Sequence, residues 1–250
     1  MAGFATDWLD LREAADRRAR DAGLRRAFLA ALPPEPRILD LGCGTGATVR
    51  ALDIADARWT LVDDDPVLLA EAARRVPGAR TVEADLAVDL EAVLDLSADA
   101  ITASALLDLV SEGWIARFAR LAGARPVHVA LTIDGLDAWE PDHDADAAIA
   151  RAFDAHQRRD KGFGPAVGPL GASLLARALE ARGHAVTLAP SPWRLERGRD
   201  DALMDALAEG IARAAVEAGC DPALGRDWLD ARRSAQRCTI GHLDLLAVPG

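Results

Sequence analysis

The stretch Pro36-Arg37-Ile38-Leu39-Asp40-Leu41-Gly42-Cys43-Gly44-Thr45-Gly46-Ala47 decides how the rest of the chain is read. It begins as a short apolar run of the kind that fills a buried parallel strand. Three glycines at alternate positions follow, and Ala47, Val49 and Leu52 then recur at helical spacing. A strand that turns through glycines into a helix brings bare backbone N–H groups against a ligand. Asp40 falls two residues before the first glycine, at the strand's carboxyl end, where open α/β sheets bind their ligands.

That acid discriminates between cofactors. Gly42, Gly44 and Ala47 also fit the dinucleotide pattern G-x-G-x-x-A, with acids about 20 residues on. Pyrophosphate is an anion, however, and a carboxylate beside it would repel it. S-adenosylmethionine (SAM) has no phosphate and carries an ammonium and a sulfonium in that region. The pattern D-x-G-x-G-x-G after a strand therefore points to SAM.

Arg37-Ile38-Leu39-Asp40-Leu41-Gly42-Cys43-Gly44-Thr45-Gly46 resembles the first motif of the class I SAM-dependent methyltransferases, and the similarity runs from about Pro36 to Ala130. The resemblance implies a doubly wound, seven-stranded Rossmann-like α/β sheet with an N-terminal helical cover (1–35), a SAM-binding core (36–133) and helical insertions. In that layout Asp40, Gly42, Gly44 and Gly46 form the cofactor turn. Asp63, at the end of Trp59-Thr60-Leu61-Val62, takes the place of the acid that accepts both ribose hydroxyls, with Asp64 beside it. A carboxylate has the geometry for such a two-oxygen grip on a vicinal diol. Asp85 corresponds to the residue that reaches the adenine amino group, and Leu86 supplies an apolar face or a backbone N–H. The loop after the fourth strand (98–102) borders the transferred methyl, and Ala103 gives a backbone carbonyl to the SAM ammonium. The leading helix closes the cleft in many relatives, which offers Arg12 to the SAM carboxylate; surface pairing is its other reading.

Further along, Asp65 suits a helix N-cap and Pro66 the first helical position. Asp108 reads equally as facing substrate or as a loop acid. His128, central in a fifth strand from Val127 to Ile133, reads as a hydrogen-bonded core histidine. Residues 4–32 read as one or two helices with an apolar stripe of Trp8, Leu11, Ala15, Leu24, Phe28 and Leu32, interleaved with Arg12, Glu13, Asp16 and Arg20.

After Asp134-Gly135 the pattern loses its period. Residues 134–169 are expected to end the strand and form a mobile cover over the acceptor site, with Trp139, Phe153 and Phe163 excluding water on closure. Within it His156 is the candidate acceptor contact or general base, since its unperturbed pKa lies near 6.5; capping its own helix is the alternative. A strand at Ala185–Ala189 and a closing strand from Cys238 to Val248 flank a helical insertion at 199–236, expected over the substrate mouth.

Composition bounds the partners. At 250 residues and 26.5 kDa the chain can fill one well-cored domain. No apolar run approaches the roughly 20 residues of a membrane helix, and no signal-type core opens the chain, so a cytoplasmic location with no membrane partner is expected. Three cysteines, Cys43, Cys220 and Cys238, lack spacing for zinc or a disulfide framework, and no metal is expected. A net charge of −11 argues against nucleic acid. The sequence thus points to methyl transfer from SAM to a small molecule and leaves the acceptor atom and oligomeric state open. A SAM-binding protein without catalysis is the second reading. An NAD-dependent oxidoreductase is third, disfavoured by Asp40 and by the absence of any tyrosine for a Tyr-Lys pair.

Overall fold

The computed structural model describes residues 6–250; residues 1–5, including the start of the leading 4–32 segment, lie outside the described residues. That segment forms two helices, α1 (Thr6–Ala19) and α2 (Ala22–Ala30). Between them Asp21 caps α2, its Oδ1 accepting the Leu24 N–H at 2.7 Å. A regular alternation follows: β1 (Arg37–Leu41), α3 (Ala47–Leu52), β2 (Arg58–Asp63), α4 (Pro66–Arg75), β3 (Arg80–Glu83), α5 (Leu90–Leu94), β4 (Ala100–Ser104) and α6 (Glu112–Ala122). The second half contains β5 (Val127–Glu140), α7 (Asp146–Gln157), a single 3-10 turn (Gly168–Leu170) and α8 (Gly171–Glu180). Then come β6 (His184–Pro190), β7 (Trp193–Glu196), α9 (Asp201–Glu217), α10 (Pro222–Arg232) and β8 (Arg237–Pro249).

The strands form one sheet in the order β3-β2-β1-β4-β5-β8-β6, with β7 also paired to β8. β1 to β5 are mutually parallel, and β8 runs antiparallel to β5, β6 and β7. The strand order reverses at β1, between β2 and β4, which places a ligand crevice at the carboxyl ends of β1 and β4. The central strands are buried on both faces, as parallel strands covered by helices must be.

The expected seven strands form the continuous order, and a short additional strand, Trp193–Glu196, pairs with Arg237–Ile240 of β8. One expectation is corrected: β5 does not end at Asp134-Gly135. Its pairing with β8 is irregular between Ile133 and Asp137, then resumes from Asp137↔Ile240 to Glu140↔Arg237. Gly135 has φ of 91°, and the Asp134 carboxylate accepts the Leu136 N–H at 2.9 Å. The turn residues thus mark a bulge in a continuing strand.

The extension of β5, β8 and β7 past the bulge carries its own core. Trp139, Trp193, Leu203, Met204 and Trp228 are buried together there, with Ile149 of α7 and Ala15 of α1. Trp139 and Trp228 meet edge to face, their ring centres 5.8 Å apart. The Arg232 guanidinium lies over both rings, at 5.9 and 5.3 Å, and its Nη1 donates to the Pro141 carbonyl at 2.8 Å. Trp228 Nε1 donates to Asp146 at 2.6 Å. Trp139 and Phe153 therefore serve the core of this cap, and the 199–236 insertion packs on α7 and α1. No described helix is long and apolar enough to cross a membrane.

Trp228→Ala should cost about 3–5 kcal/mol, as large-to-small changes at buried tryptophans do. Equilibrium urea denaturation monitored by tryptophan fluorescence and far-UV dichroism checks this. A loss below about 1 kcal/mol would mean that the cap does not depend on this packing.

Candidate functional site

The turn after β1 is built by its glycines. Gly44 and Gly46 have φ of 52° and 80°, where a side chain is strained. A Cβ on Gly44 would come within 3.1 Å of Leu9 of α1, and one on Gly46 within 2.9 Å of Val76. The Cys43 N–H donates to the Val62 carbonyl at 2.9 Å, tying the turn to β2. Asp63, at the end of β2, completes the tie: its Oδ2 accepts the Gly44 N–H at 2.8 Å and its Oδ1 the Asp65 N–H at 3.1 Å. Burial raises the Asp63 pKa, and these two amide donors oppose the rise.

Asp40 lies beneath the turn with 1% of its surface exposed. Its Oδ1 accepts the Thr102 hydroxyl at 2.7 Å, whereas its Oδ2 is buried with no partner. Burial pushes its pKa up to about 7, against the Thr102 hydrogen bond and the positive charge of Arg20. The carboxyl is thus half satisfied, and a buried polar atom left unpaired calls for an explanation.

A cleft of about 420 Å³ opens over these residues. Gly42 and Gly44 border it from the turn, Asp63, Asp64 and Asp65 from the end of β2, and Asp85 and Leu86 from the loop after β3. Ser104, Ala105, Leu106 and Leu109 line it from β4 and its exit loop, with Leu9 and Arg12 from α1 and Phe163 from the loop after α7. Asp65 also caps α4, accepting the Val67 N–H at 2.8 Å. Asp85 accepts the Ala87 N–H at 2.8 Å, and the Leu86 carbonyl is held by Trp114 Nε1 at 2.8 Å.

The structure therefore brings Gly42, Gly44, Asp63, Asp64, Asp85, Leu86 and Arg12 to one cleft. Asp40 sits buried below it, and Gly46 shapes the turn without bordering the cleft. Ala103 is buried in β4, and the residues at the cleft wall are Ser104 and Ala105. Arg12 is already engaged: it donates to both oxygens of Asp16, at 2.9 and 3.2 Å, and lies over Trp193 at 5.0 Å.

His156 is not brought to the cleft. Its Nε2 lies 3.1 Å from a Glu217 oxygen on α9, because α7 turns that face toward the neighbouring helix. Burial and the positive charges of Lys161 and Arg159 lower its pKa, and Glu217 acts in the opposite direction. His128 is a core residue, but neither ring nitrogen has a partner, and burial pushes its pKa down to about 3. Cys43 is buried and its thiol is pushed far up, mainly by burial and also by Asp40 and Asp63, which leaves it unreactive.

Phe163 and the loop after β4, with Ser104 and Ala105, stand at the cleft as the sequence leads one to expect, whereas Leu9 and Arg20 are not legible as site residues. The Arg20 Nη2 donates to Ser104 Oγ at 3.0 Å, and its Nε and Nη1 are buried without partners. A signal existed. Leu9, Arg12, Asp16 and Arg20 recur at three- and four-residue steps, one face of a helix. The apolar stripe, offset from this face, draws attention away from Leu9 and Arg20.

Residues 38–125 match the family profile described as a methyltransferase domain. The match covers β1 to β4 with α3 to α6 and identifies this part of the chain as a methyltransferase domain. A 60-residue segment is 47% identical to the biotin biosynthesis bifunctional protein BioCD of Bordetella avium, covering 23% of this chain and 13% of that protein's length. Two solved structures share the fold. One is a provisionally assigned methyltransferase from Bacillus halodurans, with a TM-score of 0.54 and 12% identity, covering 92% of this chain and 100% of that one. The other is a cyclopropane-fatty-acyl-phospholipid synthase-like protein from Lactobacillus casei, with a TM-score of 0.52 and 16% identity, covering 96% and 97%. Among the described residues no group of three or more His, Cys, Asp or Glu side chains is placed to hold a metal ion.

Asp40 makes a pH prediction for the ligand-free protein. Its folded pKa of about 7 lies above the roughly 3.9 of an unfolded aspartate. The folded state therefore holds the extra proton between about pH 4 and 7, and stability from this group falls as pH rises through that window. Relative to Asp40→Asn, the wild type should lose stability from about pH 4 to 7 and level off above, in urea melts of both proteins. A constant difference across that range would show that Asp40 ionises normally in the fold.

Proposed function

We propose that this protein transfers the methyl group of SAM to a small-molecule acceptor in the cleft over β1 and β4. The observation that carries the proposal is the distribution of acids around the turn. Asp40 lies below Gly42 and Gly44, and Asp63, Asp64, Asp65 and Asp85 border the same cleft. Such a site repels a diphosphate and suits a cationic, phosphate-free nucleoside. Asp63 keeps acceptor capacity beyond the two backbone amides it holds and, with Asp64, faces the ribose hydroxyls in this reading. Asp85 and Leu86 serve the adenine. Ala103 to Ala105, at the end of β4, take the amino-acid portion, with the negative charge of Asp40 beneath. Gly46 acts by holding the turn. Arg12 contributes by framing the cleft while paired with Asp16.

When bound, SAM supplies a methyl group already activated by its sulfonium. The chain's task is alignment and exclusion of water, and positioning alone can account for about 7–11 kcal/mol of a barrier. Leu9, Leu106, Leu109 and Phe163 give the cleft its apolar wall. A cavity of about 420 Å³ and a net charge of −11 favour a small acceptor over nucleic acid. The Bordetella avium protein is named for biotin biosynthesis, which agrees with small-molecule chemistry for this chain. His156 has no part in the proposal, since its contact is with Glu217.

Titration calorimetry with SAM, S-adenosylhomocysteine, NAD and NADP tests the reading. The first two should bind and the dinucleotides should not; the reverse pattern overturns it. Asp63→Ala should weaken S-adenosylhomocysteine by about 1–3 kcal/mol, the scale for removing a buried hydrogen-bonding partner. Unchanged affinity in a folded variant would place the ribose contact elsewhere.

A further inference from the structure

The charged lining of the cleft is lopsided. Asp63, Asp64, Asp65 and Asp85 stand at the ends of β2 and β3, and among the described residues Arg12 is the only basic side chain on the wall. Arg12 comes from α1 and is held at two points. Its Nε and Nη2 donate to the two oxygens of Asp16, at 2.9 and 3.2 Å, and its guanidinium lies 5.0 Å from the centre of the Trp193 ring. Asp16 is fixed in turn, since it is buried and accepts Trp193 Nε1 at 2.9 Å. A planar fork clamped along one edge and covered on one face keeps a set direction for the donors that remain.

Those donors lie on the other edge. Nη1 bonds to none of the described residues, and it is not sealed off from the surface. With 11% of its side chain exposed, Arg12 presents this remainder at the cleft that it lines. A carboxylate is the partner that an open guanidinium edge favours, because its hydrogen bonds to that edge are charge-assisted.

Placement distinguishes the two carboxylates that could come here, the cofactor's and the acceptor's. In the reading above the amino-acid end of SAM lies at the end of β4. Ser104 stands there with its own cation behind it: Arg20 Nη2 donates to Ser104 Oγ at 3.0 Å, and the serine's own hydrogen is bonded to none of the described residues. Arg12 is backed by the cap instead. Trp193 belongs to β7, and its ring packs on His242 of β8 with centres 5.0 Å apart. Both strands lie beyond β5 as seen from the glycine turn. Leu106, Leu109 and Phe163 supply the apolar surface of the same cleft.

We propose that Arg12 binds a carboxylate of the methyl acceptor through Nη1, which makes the substrate a small organic acid with an apolar body. The inference rests on the methyl-transfer reading above and narrows its acceptor. Arg12 grips the acid group, and the apolar wall covers the body. A neutral amide of the same shape loses the charge-assisted part of the contact, and an amine brings a like charge to the guanidinium.

Titration calorimetry on the S-adenosylhomocysteine complex tests this with three acids and their primary amides: benzoate and benzamide, phenylacetate and phenylacetamide, hexanoate and hexanamide. At least one acid should bind about tenfold or more tighter than its amide, the scale of one charge-assisted hydrogen bond. Arg12→Gln removes the charge and should bring that acid and its amide to within about threefold of each other. Arg12→Lys should do the same, since an ammonium held by Asp16 has no second planar edge; it keeps a cation for Asp16 and Trp193 and decides alone if the Gln variant does not fold. S-adenosylhomocysteine should bind the folded variants within about threefold of the wild type. If the wild type does not bind it, the methyl-transfer reading fails, and the same acid and amide pairs titrated into the free protein still decide for or against Arg12. The proposal is overturned if the wild type prefers no acid over its amide, or if the preference survives in the folded variants. It is also overturned if the variants lose S-adenosylhomocysteine instead, which would give Arg12 to the cofactor's own carboxylate.

Discussion

The antiparallel pairing of β8 along β5 is the constraint on which both halves of the molecule depend. Below the bulge, Val127–Val129 pair with Leu245–Ala247 and close the sheet that holds the glycine turn in place. Beyond it, Asp137–Glu140 pair with Arg237–Ile240 and extend the same two strands past the crevice. The short strand β7 adds to this extension, and α7, α9 and α10 have an apolar surface to cover only because it exists. One hydrogen-bonded ladder therefore supports the parallel sheet under the cofactor turn and the cap beside it. Parallel strands need long crossovers, whereas an antiparallel pair can grow at its end without a new connection.

Helix α1 joins the two halves. Glu13 bonds Arg50 of α3 at 2.7 and 2.8 Å, next to the glycine turn, and Asp10 meets Arg75 of α4. On the other side Asp16 accepts from Trp193 Nε1 at 2.9 Å, and Arg18 reaches Asp200 at 2.6 Å. Exposed pairs of this kind contribute little each. Asp16 is different, because it is buried and shared between Arg12 and Trp193. It fixes how Arg12 and Leu9 meet the cleft, so the cap positions the cofactor wall through a single carboxylate.

How much of this was legible depends on the range of the contacts involved. The cofactor half is written in local patterns. Ile38 to Ala47 encodes a strand, a turn and a helix start, and Asp65-Pro66 encodes a cap and a first helical position. Asp63, Asp64, Asp85 and Leu86 follow the strand ends in order, and the structure places them at one cleft. The cap half is written in contacts that no window contains. Asp134-Gly135 reads as a strand end because the continuation depends on Arg237 to Ile240, about a hundred residues later. Trp139 and Phe153 read as water-excluding because their real partners, Trp228 and its neighbours, lie on a distant helix. His156 stands out in sequence by its intrinsic pKa, but its position is decided by the packing of α7 on α9. Arg20 was missed for the converse reason: a charged residue on a helix is ordinarily a surface residue.

The buried polar atoms without partners divide along the same line, and their chemistry separates function from architecture. In the cap, Arg232 retains unbonded nitrogens, but it is stacked on two indoles and paired to Asp146 at 3.0 Å, which gives the charge an aromatic and ionic environment inside the core. Around the cleft the unpartnered atoms have no such substitute. Asp40 Oδ2 lies under the turn, and Arg20 Nε and Nη1 belong to the guanidinium that donates to Ser104. Each group is half satisfied by one contact that fixes its direction: Thr102 for Asp40 and Ser104 for Arg20. A fold selected for stability alone would replace such groups with apolar ones, since a partly satisfied buried charge is worse than none. Asp40 and Arg20 stand at the carboxyl ends of β1 and β4, where a ligand can bring the missing partners.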